Sequence, residues 1–453
     1  MKSSVGSRSF KLLKLAAKVG TSELAQNLKS RLPGAEKKDS ELAEQRRAGA
    51  RLDQAKLIAE NLSQLKGAAM KVGQLLSIDS ADYFPPEAMA VLSKLQASAE
   101  PVKFEVVRKV LADDLGEKTL ADFDELNETP DAAASIGQVH RARLGEKDVA
   151  IKIQYPGVAD SIDSDLRILR GLANTVLGAS GRDVDLTPLF EELARVLKQE
   201  SNYTEELQLM TEYRNQVLKL QVDRSPLYVV PEPITSHSGK RVLTMTWETG
   251  AGIDSWLRSR PPVERRERIG HGMLDLFCKE FFEWGLVQTD PNFANFLIGR
   301  DQKTGLDTLV LLDFGAAIKY TEEFRSRYRK FLAAMGTLSA SHIIQEGIEF
   351  GLISDRESDE SKQLFADLMR HSIEPFFDKK QPFKFDDDDY AKRTREAGTK
   401  FAKSLRFSPP PQEIIFLHRK LGGMFNFVRK LEVNLDLRPY WNKMVGSPPP
   451  APH

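Results

Sequence analysis

The sequence is almost devoid of cysteine, carries no net charge and contains no long apolar run, and each shortage excludes a class of protein. Among 453 residues the only thiol is Cys278, so neither an intramolecular disulfide framework nor a thiolate-rich metal site can form, and a reducing compartment is expected. Cys278 closes the apolar run 273–278 and reads as a buried structural thiol. The seven histidines are scattered, without the i, i+4 spacing of a helical metal site. The 65 basic side chains balance 65 acidic ones, which is not the footprint of a nucleic-acid binder. No stretch approaches the roughly 18 to 20 uninterrupted apolar residues of a transmembrane helix.

What is present is ordinary globular material, 41% hydrophobic and 29% charged, in a length that suits two or three domains or one two-lobed fold with an extension. Residues 1–49 open with Lys2, Arg8, Lys11, Lys14, Lys18, Lys29 and Arg31 against the single acid Glu23 within the first 32 positions. Apolar residues at near-helical spacing there predict a basic, partly flexible segment able to lie on an anionic membrane. Residues 50–126 read as a helical extension. Leu52, Ala55, Ile58, Leu62, Leu65, Ala69, Val72 and Leu76 recur at threes and fours, and shorter helices are expected over 87–95 and 104–115.

From residue 127 the pattern changes. Strand-like runs cover 137–144 and 148–154 around a Gly-Glu-Lys turn; helices follow over 158–177 and 186–217, then strands over 228–230 and 241–246. Beyond residue 264 the chain reads as mainly helical with one apolar strand at 308–312, and Asp386 to Asp389 as a solvated loop. Strands first and helices later predict an α+β fold. Its parts are a small sheet-bearing N-lobe over 127–250, a larger helical C-lobe over 251–445 and a Pro-rich tail over 446–453.

The chemistry is concentrated in two loops and one strand. Gln288-Thr289-Asp290-Pro291-Asn292-Phe293-Ala294-Asn295 offers an aspartate and, five positions on, an asparagine. An apolar strand then leads to Asp313-Phe314-Gly315. Phosphoryl transfer needs a carboxylate beside the attacking group and hard oxygen ligands for magnesium. Asp290 fits the first role, Asn295 and Asp313 the second. Upstream, Val149-Ala150-Ile151-Lys152 places a lysine at the end of a strand, where a cation can grip nucleotide phosphates if an acid holds it, and Glu206 is the candidate acid. Where a glycine-rich phosphate loop is expected the chain has Ala132-Ala133-Ala134-Ser135-Ile136-Gly137, a stiffer cradle than glycines would make. Gln288-Thr289 replaces the His-Arg that precedes the catalytic aspartate of protein kinases, and no Ala-Pro-Glu follows Asp313, so docking of peptide substrates is disfavoured.

Together with Lys71-Val72-Gly73-Gln74, Val149 to Gly157 and the C-terminal His418-Arg419-Lys420, these motifs resemble the UbiB family, also called ADCK, over about residues 50–440. The resemblance implies a protein-kinase-like fold and an ATPase that binds ATP with Mg2+, associates with membranes and supports ubiquinone (coenzyme Q) biosynthesis, with poor protein kinase activity in trans. It also implies that Lys71, Gly73 and Gln74 lie on a helix packed over the active site. The family's Glu-x-Asp motif aligns with Glu200-Ser201-Asn202, so an amide stands here in place of the second acid. The catalytic loop looks closer to the mitochondrial, coenzyme-Q-supporting members than to the common bacterial pattern, and no C-terminal membrane span of the bacterial kind is present.

The expected partners are therefore ATP and ADP, a membrane lipid or quinone-precursor lipid, and quinone-biosynthesis enzymes. The expected place is peripheral on a membrane facing the cytoplasm, or the matrix side of the mitochondrial inner membrane in a eukaryote. A small-molecule phosphotransferase and a nucleotide-binding scaffold without turnover are the alternatives.

Overall fold

The computed structural model describes residues 102–134, 136–179, 187–220, 227–405 and 412–446. The basic segment 1–49, the helices expected over 50–76 and 87–95 with Lys71, Gly73 and Gln74, Ser135 and the tail from 447 lie outside the described residues. The chain divides into two compact units. One runs to Leu207 and includes Pro233–Trp247; the other comprises Gln208–Glu232 and the chain from Glu248 onward.

In the first unit α1 (Phe104–Leu115) has the bounds its periodicity predicts and is followed by the single turn α2 (Glu117–Leu120). Strands β1 (Glu125–Leu126), β2 (Ala132–Ala134), β3 (Gly137–Leu144) and β4 (Lys147–Gln154) come next. After the short β5 (Tyr228–Val229), which belongs to the second unit, β6 (Val242–Thr246) completes a five-stranded sheet of order β1-β3-β4-β6, with β2 also paired to β3. The β3–β4 hairpin pairs Gly137 with Gln154 and Leu144 with Lys147, and closes at Gly145, whose φ of 58° glycine tolerates.

Strand alternation sorts β4 into two faces. Val149, Ile151 and Ile153 are at most 1% exposed and pack with Val107, Val110 and Leu111 of α1, each such side chain contributing about 1.5–3 kcal/mol of burial. The same alternation turns Ala150, Lys152 and Gln154 to the opposite face. At the start of β3, a Cβ on Gly137 would lie 2.3 Å from the Ile153 carbonyl oxygen and 2.9 Å from the Tyr203 hydroxyl. This glycine is thus required by packing.

Helix α3 (Val158–Ala179) follows the hairpin. The single helix expected over 186–217 is two, α4 (Thr187–Glu200) and α5 (Tyr203–Leu220). The apolar period runs through the junction, but Asn202 interrupts it by capping: its side-chain carbonyl accepts the Glu205 N–H at 3.4 Å and its backbone carbonyl accepts the Glu206 N–H at 3.1 Å.

The second unit is richer in strands than the sequence suggests. The expected strand is β10 (Asp307–Leu311), but it lies in a four-stranded sheet of order β5-β10-β9-β7, with β7 (Ala251–Gly252) and β9 (Phe296–Arg300). A further ribbon pairs β8 (Leu286–Gln288) with β11 (Ala317–Lys319). Strands of two to five residues carry too little alternation to be seen in a sequence. The four-aspartate run is loop only in its first half, Asp386 and Asp387. Asp387 caps the helix Asp388–Ser404 by accepting the Tyr390 N–H at 3.0 Å, and the next two aspartates complement the helix dipole in its first turn.

The core of this unit is aromatic. Phe281 is fully buried and meets Phe282, Tyr320 and Tyr328 edge-on at 4.8–5.2 Å between ring centroids. Beside it, burial pushes the Cys278 thiol up to about 12, as an unreactive structural cysteine requires. Farther along, Glu374 follows the helix Asp359–Ile373 and accepts two hydrogen bonds from Arg393 on the helix Asp388–Ser404, at 2.9 and 3.0 Å. With Lys380 also 3.1 Å away, these cations hold its carboxyl at about 2.

Two stability predictions follow from this packing. Gly137→Ala should overpack β3 against β4 and cost about 1–3 kcal/mol, read as a lowered midpoint in urea with unchanged slope. Because the folded carboxyl of Glu374 titrates below its unfolded value, its contribution is complete above about pH 4.5 and is lost as pH falls from there to about 2. Glu374→Gln should therefore lower the unfolding free energy at neutral pH by about 1–2 kcal/mol after solvent screening, read as a lower melting temperature, and remove that acid-side loss.

Candidate active site

In the first unit the site is built on Lys152. Its Nζ donates to both oxygens of Glu206, at 2.7 and 3.0 Å, and the two residues are 7% and 1% exposed. The nitrogen also sits 5.1 Å from the centroid of the Tyr203 ring. Tyr203 and Glu206 are three residues apart on α5, so one helix face presents a π surface and a carboxylate to the same cation. A buried ammonium is costly without such partners. Its environment is fixed from the strand side as well: the neighbouring Gln154 donates to the Ser201 carbonyl at 2.9 Å, at the junction between α4 and α5.

The alanines of the phosphate-loop position form β2, antiparallel to β3, with Ala132 opposite Val139, Ala133 opposite Gln138 and Ala134 opposite Gly137. Ala132 and Ala133 are exposed. Ile136 anchors the turn, 2% exposed and accepting the Tyr155 N–H at 2.9 Å. The ribbon is thus held at its root while its alanines face outward. Glu200 is buried at the end of α4, and Asn202 occupies the cap of α5. An aspartate could cap that helix equally well, so the amide keeps the turn and removes one negative charge.

The second unit brings Asp290, Asn295 and Asp313 together. The helix α6 (Ile253–Arg258) precedes α7 (Val263–Phe277), which continues as a π-helical segment, Cys278–Trp284, and ends at Gly285 with φ 66°. There a Cβ would meet the Tyr320 carbonyl oxygen at 2.9 Å. The reversal feeds β8 and its last residue, Gln288. Thr289 is pinned by a 2.6 Å hydrogen bond from its hydroxyl to the Ala316 carbonyl, and Asp290 follows at 5% exposure.

One short turn connects Asp290 to Asn295. Asn292 accepts the Ala294 N–H at 3.1 Å and starts the 3-10 turn Phe293–Asn295. Asn295 Nδ2 donates to Asp290 Oδ2 at 3.1 Å, and its backbone carbonyl accepts the Leu312 N–H at 3.0 Å. Asp313 itself accepts the Gly315 N–H at 2.9 Å through Oδ1, while Phe314 is fully buried against Tyr213 at 4.8 Å. Because a carboxylate only accepts, the Asn295 amide nitrogen must face Asp290, which leaves its carbonyl oxygen for a cation.

The donor set suits magnesium. Among the described residues no cluster of three or more His, Cys, Asp or Glu side chains forms a closed metal cage. Asn295 and Asp313 offer hard oxygens only, the kind of partial shell that Mg2+ completes with water and phosphate. When bound, the ion supplies charge neutralisation on phosphate oxygens.

Three residues given no site role from the sequence lie around Asp290 and the strand before it: Arg419, Lys420 and Glu280. Arg419 Nη2 lies 3.1 Å from Asp290 Oδ1. Lys420 Nζ lies 2.9 Å from Oε2 of Glu280, both at most 2% exposed. The other oxygen of Glu280 accepts the Tyr213 hydroxyl at 2.7 Å and the Gln288 N–H at 3.1 Å. Burial and the Glu280 carboxylate push the Tyr213 hydroxyl well above its ordinary range, so it remains the donor. The adjacent cations Arg419 and Lys420 in the apolar stretch 414–421 were the available hint; their partners are more than a hundred residues away.

The chain is similar to known proteins. Residues 94–346 match the ABC1 atypical kinase-like domain. The chain is 33% identical over 373 residues to the atypical kinase COQ8, mitochondrial, of Saccharomyces cerevisiae, which covers 81% of this chain and 71% of that protein. It is 32% identical over 380 residues to the atypical kinase coq-8, mitochondrial, of Caenorhabditis elegans, covering 84% and 49%. A probable serine/threonine-protein kinase, abkA of Dictyostelium discoideum, is 32% identical over 410 residues, covering 84% and 69%. The chain thus spans between about half and seven-tenths of these relatives' lengths. Among solved structures, Rv3197 of Mycobacterium tuberculosis in complex with erythromycin has a TM-score of 0.57 at 24% identity, covering 90% of this chain and 98% of that one, which is a likeness of fold. By the matched domain and by these relatives, the chain belongs to the UbiB/ADCK family of atypical kinase-like proteins and has their two-lobed, kinase-like fold.

Proposed function

We propose that the protein is a magnesium-dependent ATPase of the atypical kinase type that acts at a membrane in support of ubiquinone biosynthesis. The observation that carries the reading is the doubly hydrogen-bonded Lys152–Glu206 pair, found in a chain that also clusters Asp290, Asn295 and Asp313. Lys152, held by Glu206 and Tyr203, grips α- and β-phosphate oxygens, and the exposed alanine ribbon supplies backbone amides to the nucleotide. Asn295 and Asp313 hold the magnesium. Asp290 orients the attacking water and accepts its proton as the new oxygen–phosphorus bond forms and the bond to the bridging oxygen breaks, leaving the electron pair on ADP.

The pathway assignment rests on the coenzyme-Q-type motifs and the relatives named COQ8. The membrane assignment rests on the basic N-terminal segment, and among the described residues no helix is long and apolar enough to cross a bilayer. Glu200, Asn202 and the Lys71, Gly73 and Gln74 triad are assigned to regulation through the helical extension.

Purified full-length protein should release ADP from ATP only with magnesium, and faster with anionic liposomes and a phenolic mimic of a quinone precursor. Asp290→Asn should lower turnover by about 100-fold or more, and Lys152→Arg, which cannot reproduce the buried ammonium geometry, should lower it comparably. Magnesium-dependent turnover that survives in both variants would refute the reading.

The alanine ribbon makes its own prediction. Glycine at 132, 133 or 134 frees backbone conformations at about 0.5–1 kcal/mol per residue, so these variants should change nucleotide affinity severalfold and allow phosphate to be incorporated into the chain itself. Unchanged affinity with no incorporation in all three would remove any special role for the alanines.

A further inference from the structure

We propose that Arg419 is a positioning residue for Asp290, making the helix Gln412–Lys430 part of the catalytic apparatus. The inference rests on the role given to Asp290 above and goes beyond it. That helix buries Ile414, Phe416, Leu417, Phe427 and Val428, and in the same stretch it buries two cations, Arg419 at 5% and Lys420 at 2% exposure. Neither is fully satisfied. Lys420 Nζ stands 2.9 Å from Glu280 as an ion pair without a well-formed hydrogen bond, and the other oxygen of that carboxylate holds the Tyr213 hydroxyl and the Gln288 N–H. Among the described residues Arg419 makes one hydrogen bond, to Asp290, while its Nε is buried without a hydrogen-bond partner. A guanidinium so incompletely satisfied is a poor device for stability. Its geometry suits aiming the carboxylate instead.

Asp290 is gripped from two sides. Arg419 takes Oδ1 and Asn295 takes Oδ2, each at 3.1 Å, so rotation of the carboxylate about its Cβ–Cγ bond would break one contact or the other. A second, independent contact comes from the next turn of the same helix. A Cβ on Gly423 would fall 1.8 Å from Cβ of Pro291 and 3.1 Å from its Cα. The helix backbone therefore abuts the residue after Asp290, and residues 419 and 423, four apart on one face, register successive positions of the loop. Thr289, where protein kinases carry arginine, is engaged with the Ala316 carbonyl. The cation at the aspartate comes instead from a residue 129 positions later.

The test uses the full-length chain with Arg419→Gln, Arg419→Lys and, as a control on the same helix, Arg429→Gln, whose side chain pairs at the surface with Asp388. Arg419→Gln should lower turnover by about 10- to 100-fold through misplacement of the carboxylate. Nucleotide affinity measured by binding should stay within about twofold, and Arg419→Lys should recover part of the rate. In an Asp290→Asn background Arg419→Gln should have no further effect on residual turnover, as expected of a residue acting through another. Independently of activity, amide exchange over 288–296 should accelerate in Arg419→Gln and not in Arg429→Gln. Unchanged exchange over that segment, or a rate lost only in proportion to a general loss of folded protein, would overturn the proposal. A wild-type protein without turnover but with the local exchange effect would sink the ATPase reading and leave the positioning role standing.

Discussion

The second unit depends on one buried carboxylate. Glu280 is fully enclosed, and a charge in that position is tolerable because two donors engage one oxygen and the Lys420 cation stands 2.9 Å from the other. Its partners come from three parts of the chain: Tyr213 from α5, the Gln288 amide from β8, and Lys420 from the helix Gln412–Lys430. The π-helical form of Cys278–Trp284 belongs to the same arrangement, since such wide turns redirect side chains at functional positions. What radiates from Glu280 is the support of two loops, those of Asp290 and Asp313. Gln288 lies two residues before Asp290, and Tyr213 packs on Phe314, the neighbour of Asp313.

The first unit applies the same principle with the sign reversed. There the enclosed charge is an ammonium, and α5 answers it with a carboxylate and an aromatic face. Each unit therefore places an ionised group where it would be unstable alone and surrounds it with partners whose own positions are set by packing. Electrostatic preorganisation of this kind matters more for phosphoryl transfer than covalent participation does.

Much of this was legible in the sequence where the signal is local. Helix Phe104–Leu115 and the β3–β4 hairpin follow from apolar period and turn residues, and Val149 to Lys152 shows both the core face and the outlying lysine. Glu206 was identifiable because it lies in a short acidic stretch on the helix expected to follow. Legibility failed in two ways. Short strands such as β8 and β11, and the break at Asn202, fall below the length over which periodicity can be read. Contacts such as Arg419 to Asp290 and Lys420 to Glu280 are made by tertiary folding alone, and no spacing along the chain encodes them.

The close approach of Gly423 to Pro291 bears on where this protein can be cut. The recognisable kinase-like domain ends at residue 346, yet the helix that abuts the loop of Asp290 and Pro291 begins at Gln412. The boundary drawn by sequence likeness and the boundary of the physical object differ by a full turn of architecture. A fragment ended at the former would keep every motif residue from Lys152 to Asp313 while losing the surface against which Asp290 is set.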